Sequence, residues 1–123
     1  MIRTTTLAVT GMTCGMCERH VMRAIEWHGD ALAIYSLGNL LTYGPFTMSE
    51  PLNRGGIACA TLDGEGTVLE AVLRSTVQTP PGIARPDPTH RAAALVDSLG
   101  RLDFPLSGAR LGPDGTIERI PIP

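Results

Sequence analysis

Residues 57–78, IACATLDGEGTVLEAVLRSTVQ, decide how this chain is read. A β-prone apolar run at residues 57–62 meets the turn DGEG at residues 63–66, and a second such run follows at residues 67–78. Asp and Gly between two runs of this kind are the composition of a hairpin loop. In the second run Leu69, Ala71, Leu73 and Val77 recur with a period of two, which places them on one face of a strand. This is the best hairpin signal in the chain.

Toward the C-terminus, residues 79–88, TPPGIARPDP, read as an ordered proline loop. Asp87-Pro88 supplies an N-cap followed by proline at the first helical position. Ala92, Leu95, Val96 and Leu99 then lie on one face of a helix that Gly100 stops. Residues 110–120 carry LGPDGTI, a Pro-Asp-Gly turn between two short strands. Toward the N-terminus, residues 31–43 read as a buried strand interrupted at Gly38-Asn39 and closed by Gly44-Pro45. Residues 4–10, TTTLAVT, are β-branched and suit a strand ending at Gly11. Between them Cys17, Val21, Ala24, Ile25 and His28 fall on one helical face, so the pattern predicts a helix over residues 15–28 with Gly29 just past its end. The predicted order is β-α-β-β-β-α-β-β, an α+β chain folded as a single domain over residues 1–123.

Composition narrows the function. The chain has 123 residues, 43% of them apolar and only 4% aromatic, so its core is aliphatic; 14 Gly and 10 Pro make it rich in turns. A net charge of −2 with scattered basic residues gives no phosphate-tracking stripe, which argues against a nucleic-acid partner. The longest apolar run, ALAIYSLGNLL at residues 31–41, falls well short of the roughly 20 residues that span a bilayer, so no membrane partner is expected. No secretory pattern opens the chain, and a reducing cytoplasmic location is the expectation. Three cysteines argue against a disulfide framework, and Cys59 in IACATL reads as small apolar filler.

The remaining cysteines are paired in residues 11–20, GMTCGMCERH, at the expected strand-to-helix junction. Unpaired N–H groups and the positive dipole end of a helix N-terminus stabilise thiolate, which favours metal ligation or disulfide exchange by Cys14 and Cys17. Thiolates are soft ligands suited to Cu(I), and to Zn(II) if His20 joins as a third donor. A dithiol oxidoreductase is a further reading, weakened because no aromatic precedes the pair and no proline lies inside it. An incidental CxxC is the bland alternative. Met16 and Met22 read as gap-fillers, and His28 as a core or capping residue of the helix. Ser36, Asp87 and His90 could be drawn as a triad, but capping explains Asp87, and Ser36 lies in an apolar strand without a nucleophile elbow.

Two resemblances follow from these residues. GMTCGMC after the strand TLAVT resembles the metal loop of heavy-metal-associated, copper-chaperone-like domains over about residues 5–25. It implies one Cu(I) or other soft ion on Cys14 and Cys17, with Met12 packed beneath the loop. EWHGDALAIYSLGNLLTYG, the DPTHR helix start and LDFP resemble the C-terminal part of the CapA family of poly-γ-glutamate capsule biosynthesis, over about residues 20–123. That family has a calcineurin-like metallophosphatase fold, and His20 matches the second histidine of its metal loop. The first loop histidine has no counterpart, and the remaining metal ligands of the family are missing. A two-metal hydrolytic centre needs several carboxylate and imidazole donors, which His20, His28 and His90 do not supply. The combined expectation is a non-catalytic soft-metal-binding protein on a partial CapA-like fold, holding one Cu(I) or Zn(II). Its alternative is a CapA-type metallohydrolase completed by an N-terminal CapA half from elsewhere, with the cysteines idle. Strand edges left open by such a missing half would favour a homo-oligomer.

Overall fold

A computed structural model of the chain describes residues 3–8, 25–35, 53–80 and 82–118. The described elements run β1 (Arg3–Ala8), β2 (Ile25–His28), β3 (Ala31–Ile34), β4 (Arg54–Leu62), β5 (Val68–Thr79), β6 (Ile83–Pro86), α1 (Arg91–Asp103), β7 (Arg110–Leu111) and β8 (Ile117–Glu118). Strands dominate and a helix packs against them, an α+β arrangement.

The β4–β5 hairpin is the spine. Its loop is closed by Asp63, whose Oδ1 accepts the backbone N–H groups of Glu65 and Thr67, both at 2.9 Å, while Gly66 takes the positive φ of +88° that the turn requires. β1 pairs antiparallel with β4, and β6 with the C-terminal half of β5, giving the sheet order β1-β4-β5-β6. Beside the other half of β5 lies the β7–β8 turn, joined through Leu73 N–H to the Gly115 carbonyl at 2.8 Å and through the Val72–Thr116 bridge.

One face of this sheet is the core. Ala58, Ala71 and Leu73 meet Ala92, Ala93 and Val96 of α1, with Ile25, Ala109, Leu111 and Ile117 closing the sides. Small side chains on both surfaces bring helix and sheet close together, and Leu73 fits over Gly56, where an added Cβ would lie 2.6 Å from its Cδ1. Burying Ile25, Leu73 and Val96 contributes roughly 1.5–3 kcal/mol each. The period-two reading of β5 holds for Ala71 and Leu73, which are buried, and fails for Leu69, which is 53% exposed.

Several expectations are revised. The helix expected over residues 15–28 does not reach its end: Ile25–His28 is a strand, and residues 15–24 lie outside the described residues. β2 pairs with β3 across the two-residue loop Gly29-Asp30, where Gly29 has φ +62°. His28 is accordingly exposed on a strand instead of packed on a helix. The strand expected over residues 31–43 is described as Ala31–Ile34, and residues 36–43 lie outside the described residues. The proline loop contains a strand, β6, because an edge strand tolerates Pro86, whose missing N–H costs no ladder bond on the open side. Finally, α1 begins at Arg91 and runs through Gly100 to Asp103. Gly100 is buried inside the helix, and segment 108–109 crosses it so closely that a Cβ at Gly108 would lie 2.7 Å from the Gly100 carbonyl oxygen. Among the described residues no helix is long and apolar enough to cross a membrane.

Candidate functional site

Cys14, Cys17 and His20, the residues that the sequence offers to a metal, lie outside the described residues, as do Met12, Met16, Met22 and Ser36. The described chain approaches them from β1 on one side and leaves them at β2 on the other. Among the described residues no group of three or more His, Cys, Asp or Glu side chains could hold a metal ion. Cys59 is half-buried in β4.

Two polar constellations are described instead. The first is built on β2. Glu26 and His28 alternate onto one face of this short strand, and His28 Nε2 lies 2.6 Å from Glu26 Oε1. The buried Glu26 carboxylate also accepts the Tyr35 hydroxyl at 2.9 Å and the Ser107 hydroxyl. These bonds tie the β2–β3 hairpin to the segment after α1, which already runs beside β2 through Trp27 N–H to the Ser107 carbonyl and Ala109 N–H to the Ile25 carbonyl. Tyr35 stacks on Phe104 at a centroid distance of 6.0 Å. The Ser107 bond lowers the Glu26 pKa; burial pushes it up, and the Tyr35 bond and His28 add to the lowering. The same Glu26 bond, with burial, raises the Tyr35 phenol. Serine and histidine both contact the carboxylate, with the carboxylate between them, so the imidazole is not placed to take the serine proton as in a hydrolytic triad.

The second constellation opens α1. Asp87 Oδ1 accepts Thr89 N–H at 3.0 Å and its hydroxyl at 2.6 Å, while Oδ2 accepts Arg91 N–H at 3.3 Å and Arg91 Nε at 3.0 Å. Burial pushes this carboxyl up, but those hydrogen bonds outweigh it and hold the pKa at about 2. Ser75 of β5 accepts Ala93 N–H at 3.0 Å, so strand and Asp87 together satisfy first-turn donors. The N-cap position belongs to His90, at φ +54° and without a side-chain cap bond. Asp87 thus performs the capping expected of it from a position farther upstream. Its carboxylate bonds go to Thr89 and Arg91 rather than to the His90 imidazole, so Asp87 and His90 form no dyad.

Two cavities lie along β5. One, of ≈ 290 Å³, is lined by Cys59, Thr61, Glu70, Ala71, Val72, Arg74 and Thr116. Its neighbour, of ≈ 350 Å³, shares Val72 and Arg74 and reaches Ile57, Thr76, Asp87, His90 and Asp114. Thr76 Oγ1 and His90 Nδ1, on two residues that line the second cavity, are buried without a hydrogen-bond partner. Asp114 accepts Thr116 N–H at 3.0 Å, which lowers its pKa.

Sequence reasoning missed the Glu26–Ser107 link, which joins residues 81 positions apart. No local pattern signals such a pair. The two-residue Gly29-Asp30 loop between IEWH and ALAI was the available sign that β2 is a strand. No family model, no curated protein and no solved structure matches this chain.

Proposed function

We propose that the chain binds one soft metal ion, Cu(I) or Zn(II), through the thiolates of Cys14 and Cys17, with His20 as third donor. The observation that carries this reading is the residue order: GMTCGMC and His20 follow the strand β1 directly. Two thiolates three residues apart can both reach one ion, and soft donors select these metals over magnesium or calcium. In the reducing cytoplasm the pair stays in its dithiol form, the form that ligates. The metal is cargo or ligand in this reading, and the protein is not a catalyst. Metal content of protein purified without chelator tests it: about one equivalent of copper or zinc per chain is expected. Its persistence in a Cys14→Ser, Cys17→Ser variant would count against the reading.

A second reading is a CapA-type metallohydrolase of capsule or poly-γ-glutamate biosynthesis, its remaining ligands supplied by another chain. What favours it is the strand β3 directly before YSLGN, in the segment that carries the CapA resemblance. Under the metal-binding reading, phosphodiesterase and peptide hydrolase turnover with Mn(II) or Zn(II) stays absent. Turnover abolished by His20→Ala would favour the hydrolase instead.

A further inference from the structure

The sheet has two faces, and α1 covers one of them. On the other, cross-strand pairing aligns three rows of β4 and β5: Ile57 beside Arg74, Cys59 beside Val72, and Thr61 beside Glu70. Thr116 extends the middle row through its bridge to Val72. Glu70 and Arg74 are exposed, the row between them is small, neutral and in part half-buried, and both cavities open along it.

From this pattern we infer that the face is a self-association surface whose occupant is a second copy of the same chain. The argument is charge complementarity under one symmetry operation. A two-fold axis across the strands, along the Cys59–Val72–Thr116 row, stacks the two β5 strands antiparallel. It sets Glu70 of each copy over Arg74 of the other, two opposite-charge pairs for one operation, while Val72 meets its own equivalent and Ile57 faces Thr61. An axis along the strands would instead stack Glu70 on Glu70 and Arg74 on Arg74, which like charge disfavours. Face-to-face sheets pack about 10 Å apart, a separation that Glu and Arg side chains reaching from both sides can bridge. The axial residues are small or β-branched, so the sheets can close over the middle row.

This surface is independent of the metal reading, and its test excludes metal-bridged pairs by including a chelator. Sedimentation equilibrium over a wide concentration range is expected to show a monomer–dimer equilibrium that weakens with added NaCl. Arg74→Glu and Glu70→Arg, each alone, confront like charges twice and are expected to weaken dimerisation by at least about tenfold. Mixing these two variants in equal amounts restores both pairs in a heterodimer, so the mixture is expected to associate as the wild type does. That recovery also shows that neither variant has lost its fold. A monomer at every concentration would overturn the proposal. So would single variants that associate like the wild type, or a mixture that stays dissociated.

Discussion

Asp87 shows how much one side chain decides in this fold. Its four hydrogen-bond contacts hold the turn before α1, and its pKa lies at about 2 in place of an ordinary 3.8. A folded-state pKa below the unfolded one means that the stabilisation is fully present above about pH 4 and is lost as pH falls through 2. At roughly 1.4 kcal/mol per pKa unit this amounts to about 2 kcal/mol. Asp87→Asn is therefore expected to lower unfolding free energy by about 2 kcal/mol at pH 7, measured in urea, and the gap should shrink as pH is lowered from 4 toward 2. Gly115 is constrained in a different way. Its φ is +86°, and a Cβ there would lie within van der Waals overlap of the Leu73 carbonyl oxygen, on the residue whose N–H donates to the Gly115 carbonyl. Gly115→Ala is expected to destabilise by more than about 1 kcal/mol and to detach the β7–β8 turn from β5. Gly29, with open space around its missing Cβ, meets only the conformational penalty, so Gly29→Ala should cost about 1 kcal/mol in the same measurement.

Among the elements, legibility followed how local the deciding forces are. The β4–β5 hairpin could be read directly, because alternation and the DGEG turn act within a few residues of each other. The β7–β8 turn was readable for the same reason. Gly29 misled because a helix C-terminus and a tight hairpin both call for a glycine at positive φ, so the residue does not distinguish them. Ile25 and His28 happened to continue a helical period, while the pairing with Ala31–Ile34 that makes them strand was invisible to a periodicity count. Gly100 looked like a stop, whereas the helix runs through it to Asp103, and it is Gly108, with no room for a Cβ, that lets the later segment cross there. β6 was hidden by Pro86 and the prolines around it; an edge strand accepts Pro86 where an inner strand would not. Backbone chemical shifts of residues 25–28 distinguish strand from helix there. Extended values are expected, and helical values would restore the longer helix. Glu26→Gln is expected to weaken the link to Ser107 and Tyr35, read as faster hydrogen exchange at the Trp27 and Ala109 amides.

For the molecule as a whole, the sheet with its helix is a scaffold, and the chemistry proposed for it sits between β1 and β2. That proposal rests on residue type and spacing, since Cys14, Cys17 and His20 lie outside the described residues. The sequence did not announce the Glu26 cluster or the complementary Glu70 and Arg74 rows, which exist only once distant strands are aligned. Titration of the reduced protein against a chromophoric Cu(I) chelator tests metal binding at Cys14 and Cys17. The expected result is withdrawal of one Cu(I) per chain by the wild type and loss of that competition in the Cys14→Ser, Cys17→Ser variant. Full affinity retained by the variant, or no competition by the wild type, would contradict it.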